Sequence, residues 1–149
     1  MISSKNILAI RKKNSDIILI IEVFDFYNMI VEDSLNDKKI SYIIKNYEIM
    51  TEYGWSDLII IRKMKNKQNI INLTTENFVL FCCNNQAFID ETGRRVSISF
   101  LNEGDLIQTE LGLEKVQSIV DTKVKEEMYQ IMSKTSRGSI YVMGILLVN

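Results

Sequence analysis

The chain has 149 residues, 46% hydrophobic and 25% charged, a length and composition that make one ordinary globular domain able to bury a core without metal or disulfide staples. Eighteen basic against 19 acidic residues leave a formal charge of −1, without the footprint that phosphate neutralisation requires, so no nucleic-acid partner is expected. No histidine occurs, which excludes Ser-His-Asp, Cys-His and His-zinc chemistry and removes the ordinary pH switch.

Apolar runs are short, β-branched and punctuated, so most of the chain reads as strand. Residues 7–11 form a strand, 12–16 a polar turn, and 17–24 a second strand pairing back as a hairpin. In residues 25–35, Phe26, Met29, Ile30 and Val31 recur at helical spacing and predict one short helix, followed by a polar loop at 36–39. Strands are then expected at 40–44, 47–51, 58–62, 70–74, 78–82, 96–100, 106–109, 115–120, 128–132 and 140–147, with a further apolar stretch around Phe88. Between them stand turn signals: Glu52-Tyr53-Gly54, Glu91-Thr92-Gly93, Asn102-Glu103-Gly104-Asp105 and Ser136-Arg137-Gly138. No linker, low-complexity segment or internal repeat of fixed period is evident, so residues 1–149 read as a single domain.

Cys82 and Cys83 are adjacent and cannot close a long loop, consistent with reduced thiols in an intracellular setting. Lys5, Arg11, Lys12 and Lys13 interrupt the early apolar residues, so no secretory leader is read, and the longest wholly apolar run, residues 17–21, is far short of a membrane span. A soluble, cytoplasmic monomer with no membrane contact is the expectation.

Three features could carry chemistry. Asn149 ends the chain directly after an apolar run. An asparagine can attack its own main-chain carbonyl through its side-chain nitrogen, forming a succinimide and breaking the following peptide bond. Cys82-Cys83-Asn84-Asn85-Gln86 places a thiol three residues before a carboxamide, two groups that hydrogen-bond but supply no proton shuttle near neutral pH. Taken alone, this reads as a small buried residue followed by an Asn-rich turn. Asn102-Glu103-Gly104-Asp105 is a turn in which Gly104 can take positive φ and Asp105 can bond the backbone locally.

The order and spacing of these features resemble a known family. Leu101-x-x-Gly104-Asp105-x-Ile107-x-Thr109, followed by Gly112 and the run 116–120, is similar to the Leu-x-x-Gly-Asp block of the Hint domains of inteins and hedgehog-type autoprocessing proteins. Cys83-Asn84-Asn85-Gln86 falls where that family carries Thr-x-x-His. Glu127-Met128-Tyr129-Gln130-Ile131 looks like the strand with a Tyr-Asp-Ile-type motif, and residues 141–149 look like the intein terminus Ala-Asn-Gly-Ile-Leu-Val-His-Asn. Upstream, Gly54-Trp55 resembles the end of an intein hairpin, and residues 7–30 the first hairpin and short helix. The resemblance spans the chain, from Met1 at the splice-nucleophile position to Asn149, and the length leaves no room for a homing-endonuclease domain, which implies a mini-intein.

From this resemblance follow a mostly β, horseshoe-shaped, pseudo-two-fold Hint fold with neighbouring termini, and convergence of Met1, Cys83, Gln86 and Asn149 on one shallow site. Asp105, Gln130 and Val148 complete the catalytic set by motif position. The implied activity is protein splicing: acyl transfer at the first residue, protonation of the leaving amide, then cyclisation of the terminal Asn, with covalently attached flanking sequences as partners and no metal, nucleotide or other cofactor. The chain departs from the family at most of these places, with Met1 for Cys or Ser, Cys83 for Thr, Gln86 for His, Gln130 for Asp and Val148 for the penultimate His. A thioether cannot make the acyl-transfer product. Without imidazole the general-acid contribution, on the order of 10²- to 10⁴-fold, is forfeited. The sequence therefore leaves open a slow histidine-free intein, a degenerate Hint module that binds another chain through an edge strand, and a split-intein piece.

Overall fold

The computed structural model describes residues 1–34 and 40–149. The expected polar loop at 36–39, and residue 35 at the expected helix end, lie outside the described residues. Elsewhere the chain forms fifteen strands and one α-helix. In chain order these are β1 (Ile2–Ser3), β2 (Ile7–Lys12), β3 (Ile18–Glu22), α1 (Val23–Asp33), β4 (Ser41–Ile43), β5 (Tyr47–Thr51), β6 (Gly54–Lys63), β7 (Gln68–Thr75) and β8 (Val79–Cys82). Beyond them lie β9 (Ala87–Ile89), β10 (Arg95–Ser97), a 3₁₀ turn (Ile98–Phe100), β11 (Leu106–Thr109), β12 (Gly112–Glu126), β13 (Met128–Ser133), β14 (Ile140–Val142) and β15 (Ile145–Val148).

Antiparallel pairing joins the strands in the order β10-β9-β15-β11-β12-β7-β8-β1-β13-β6-β5-β2-β3, with β14 on β15 and β4 on β6. Both terminal strands are inserted inside this path. β1 lies between β8 and β13, with Ile2 opposite Cys82 and Tyr129. β15 lies between β9 and β11. Since β8 holds the first strand and β9 the last, the connecting residues 83–86 pass between the two chain ends.

Two hairpin turns relate the halves of this architecture. Thr51-Glu52-Tyr53-Gly54 joins β5 to β6, and Thr109-Glu110-Leu111-Gly112 joins β11 to β12. In each, the threonine Oγ1 donates to the glycine carbonyl, at 2.8 and 2.7 Å, and accepts the N–H two residues on, at 3.1 Å in both. Both glycines have positive φ, 91° and 101°, where a β-carbon is disfavoured. The matched Thr-Glu-x-Gly turns are the local signature of the pseudo-two-fold, although no repeat of fixed period accompanies them.

Several element boundaries differ from expectation. The strand read over 17–24 stops at Glu22, because Val23, Phe26 and Ile30 already form the buried stripe of α1, which begins two residues early. The single strand expected over 140–147 is a hairpin. Met143 and Gly144 both take positive φ, 51° and 79°, the requirement of a two-residue type I′ connection, and the Phe78 ring occupies the space where a Gly144 β-carbon would sit. Residues 96–100 leave the sheet after Ser97 as a 3₁₀ turn. β12 runs on to Glu126, with register shifts around Ser118 and between Asp121 and Lys125 that bend it along β7. β1 was not foreseen: two residues carry no period, and only long-range pairing makes them a strand.

The main core joins α1, β1, β2, β4–β9 and β11–β15 around Phe26, Phe88, Ile107, Tyr129 and Ile145. Buried Asn6 fixes the corner after β1, its Nδ2 donating to the Ser3 and Phe81 carbonyls at 2.8 and 2.6 Å while its Oδ1 accepts the Phe81 N–H at 3.0 Å. The start of the chain is thereby tied to β8. No helix among the described residues is long and apolar enough to cross a membrane.

Candidate functional site

Met1, Gln86, Gln130 and Asn149 line one cleft together with Ile2, Tyr129, Ile131, Ile140 and Leu147. Its free volume is about 10 Å³, room for about one water molecule. Gln86 stands at the centre and is 4% exposed. Its Oε1 accepts from the Met1 nitrogen at 2.5 Å, while Nε2 donates to the carbonyls of Ala87, at 2.9 Å, and Val148, at 3.3 Å. One carboxamide thus contacts both ends of the chain, a direct result of residues 83–86 running between β1 and β15. A turn fixes it there: Gln86 N–H donates to the Cys83 carbonyl at 3.2 Å and Ile98 N–H to the Gln86 carbonyl at 2.8 Å.

Both cysteines are buried and free, on opposite sides of the β8 end. Cys82 faces the main core, where burial pushes its thiol up to about 12 and keeps it neutral. Cys83 belongs to a small cluster with Ile70 and Met128, against which Met1, Met64 and Phe81 pack. Its N–H donates to the Met1 carbonyl at 3.1 Å and its Sγ–H to Asn85 Oδ1 at 2.7 Å. Cys83 therefore holds the first residue through main chain and packing, and it does not line the cleft. Burial lowers the pKa of the Met1 amine, with the Cys83 and Cys82 thiols opposing the shift.

Asn149 is fixed from two sides. Gln130 Nε2 donates to Asn149 Oδ1 at 3.1 Å, and Asn149 Nδ2 donates to the Gly138 carbonyl at 3.1 Å. The Asn149 main-chain N–H donates to the Arg137 carbonyl at 3.1 Å. Val148 contributes its carbonyl to Gln86, while its side chain packs with Ala87, Ile89 and Leu146 away from the cleft. Asp105 stands apart from the rest. Its Oδ2 accepts the Asn102 N–H at 2.8 Å and its carbonyl the Val116 N–H at 2.8 Å. That carboxylate closes the turn launching β11, away from the cleft.

Arg137 and Gly138, which hold Asn149 through their carbonyls, were read from the sequence only as a turn. Side-chain chemistry gives no hint of a main-chain contact; the one available signal was the glycine itself, whose φ of 60° and buried position set it close to Asn149. Among the described residues no group of three or more Cys, Asp or Glu side chains could hold a metal ion. The cleft offers carboxamides and main-chain groups: it can orient an amide nitrogen at either chain end and stabilise a developing amine or oxyanion.

Neither a protein-family model nor a curated protein sequence matches the chain. Solved structures do. The VidaL intein is 19% identical with a TM-score of 0.80, over 99% of this chain and 94% of that one. The Mvu mini-intein of transcription factor IIB is 12% identical with a TM-score of 0.81, over 100% of both. The PabCDC21-1 intein is 14% identical with a TM-score of 0.76, over 99% and 96%. The chain has the mini-intein form of the Hint fold.

Proposed function

We propose that this domain is a histidine-free, intein-type self-processing protein whose C-terminal reaction is cyclisation of Asn149, and that it splices its flanks when residue 1 is Cys or Ser. The observation that carries this reading is Gln86, which joins the nitrogen of residue 1 to the carbonyl of Val148 beside a carboxamide held by Gln130 and Gly138. Full-length similarity in fold to inteins supports it.

At the C-terminal junction, Asn149 Nδ2 bonds to the Asn149 carbonyl carbon and loses a proton. The bond from that carbon to the next residue's nitrogen breaks, and the nitrogen takes up a proton and leaves as an amine. Gln130, donating to Oδ1, stabilises the charge that builds on that oxygen as Nδ2 gives up its proton. At the N-terminal junction, a residue 1 thiol or hydroxyl would bond to the preceding carbonyl carbon, and its proton would go to the released α-nitrogen. Met1 as it stands cannot take this step. The Met1 amine of the free chain occupies the place of that released nitrogen, so Gln86 Oε1 is set to stabilise it.

Intact-mass spectrometry of the domain between two short peptides tests the reading. With Met1, release of the downstream peptide and a domain mass lowered by one water, the succinimide, is expected. In Met1→Cys with Cys opening the downstream peptide, whose thiol takes the acyl group from the residue 1 sulfur before Asn149 cyclises and then passes it to its own α-nitrogen, a joined peptide pair is expected in addition. An unchanged precursor in both after prolonged incubation refutes it and leaves a non-splicing Hint module, a reading that the Met1 thioether by itself would favour.

A further inference from the structure

The segment between β13 and β14 carries a chain of hydroxyl contacts that the cleft itself does not use. Ser133 and Ser139 are 1% and 0% exposed. Ser133 Oγ donates to the Ser139 carbonyl at 2.6 Å and accepts the Thr135 N–H at 3.2 Å. Thr135 Oγ1 accepts the Ser139 N–H at 2.8 Å and lies 2.7 Å from Ser139 Oγ. Ser139 Oγ in turn donates to Glu52 Oε1, from the Thr51–Gly54 turn. Because a carboxylate only accepts, Ser139 spends its proton on Glu52, and the single Thr135 hydroxyl proton is shared between Ser139 Oγ and Ser133 Oγ, 2.9 Å away. Within the loop so tied, Gly138 N–H donates to the Thr135 carbonyl at 2.9 Å. The carbonyls of Arg137 and Gly138 take the Asn149 N–H and Nδ2, that of Gly138 also accepting the Ser133 N–H at 3.4 Å.

Gly138 leaves no slack in this arrangement. A β-carbon there would lie 3.0 Å from Asn149 Nδ2 and 3.0 Å from Met132 Cε. A side chain there would have to push Asn149 Nδ2 or Met132 Cε aside by a few tenths of an ångström, at a positive φ that favours glycine.

We infer that Ser133, Thr135, Ser139 and Glu52 form a latch that sets the Arg137–Gly138 main chain as a cradle for Asn149, making Thr135 and Ser139 positioning residues for the C-terminal reaction. The inference rests on the self-processing reading. Its mechanism is orientation: with the carbonyl of Gly138 and the Nε2 of Gln130 gripping opposite ends of the carboxamide, the attacking nitrogen is defined before reaction, and misplacement by an ångström costs as much as about 10²-fold in rate. None of the latch residues touches the N-terminal junction.

Thr135→Val keeps the side chain's shape and removes the three Oγ1 contacts, to Ser139 N–H, Ser139 Oγ and Ser133 Oγ, and Thr135→Ser keeps them. In Met1→Cys chains flanked at both ends, Thr135→Val is expected to slow Asn149 cyclisation about tenfold, with thiol-induced cleavage at the N-terminal junction unchanged and Thr135→Ser like the parent. Equal slowing at both junctions, or none at either, overturns the latch. A second readout needs no reaction. In the free chain labelled with ¹⁵N-asparagine, the Asn149 Nδ2 protons, identified as the pair lost in Asn149→Asp, should exchange about tenfold slower than a free side-chain amide and lose that protection in Thr135→Val. Unprotected Nδ2 protons in the parent overturn the cradle. A parent that never cleaves but shows protected Nδ2 protons overturns the proposed function and upholds the cradle.

Discussion

Replacing Gln86 by Met isolates what the central carboxamide contributes to the N-terminal reaction. Methionine has nearly the same length and volume, so the nearly buried site stays filled at a packing cost below about 1.5 kcal/mol. The lost bonds are those to the residue 1 nitrogen, at 2.5 Å, and to the Ala87 and Val148 carbonyls. In a chain with Cys at position 1, the first of these bonds forms to an amine that exists only after the acyl group has moved to sulfur. A hydrogen bond from a charged donor contributes roughly 1.5–3 kcal/mol. Burial lowers this amine's pKa and so weakens its charged form, and about 1–2 kcal/mol, between the neutral and charged cases, is the appropriate share. That corresponds to a shift of about 5- to 30-fold in the amide–thioester equilibrium toward the amide. The assay uses Met1→Cys with an upstream peptide and Asn149→Ala to silence the other junction, reading thiol-induced release of the peptide. Release that is unchanged in Gln86→Met, with the melting temperature preserved, refutes a role for Gln86 in holding the freed amine.

The same amine makes stability depend on pH. Its folded pKa lies below the ordinary 8.0, so just under that value the unfolded chain binds more protons and stability rises with pH, levelling off above it and falling as pH drops through the folded pKa. Urea midpoints across this window should show the rise in the free chain and lose it after Nα-acetylation; an identical profile in both contradicts the assignment. Cys82, with its thiol pushed up to about 12 in the core, should resist iodoacetamide in the native chain at pH 8 and react only in urea. Rapid native labelling at Cys82 would show that β8 opens. Gly144→Ala sets a β-carbon 2.1 Å from Phe78 Cε1 at a φ of 79°, so overpacking and backbone strain together should cost about 2–5 kcal/mol in urea unfolding. A loss below about 1 kcal/mol would mean that Phe78 moves aside freely.

What the residues determined on their own were features with local causes. β-Branched, punctuated apolar runs set the strand content, the spacing of Phe26 and Ile30 set the helix, and the order of Cys83–Gln86, Gly104-Asp105, Gln130 and Asn149 set the resemblance to inteins. The repeated Thr-Glu-x-Gly is equally present but gives no signal by itself, because four residues without a constant period carry weight only when the two turns adopt the same hydrogen bonds. Tertiary structure alone decided the rest. β1 exists because β8 and β13 flank it, and Gln86 reaches both ends because the strand before it pairs with the first strand and the strand after it with the last. Asp105, which motif order placed among the catalytic groups, forms a turn, since a carboxylate three residues after an exposed amide satisfies it locally at little entropic cost. Gly138 and Arg137 hold Asn149 through carbonyls that every residue possesses, so no side-chain pattern could announce them. Long-range pairing chooses which main-chain groups meet, and that choice is a property of the folded sheet.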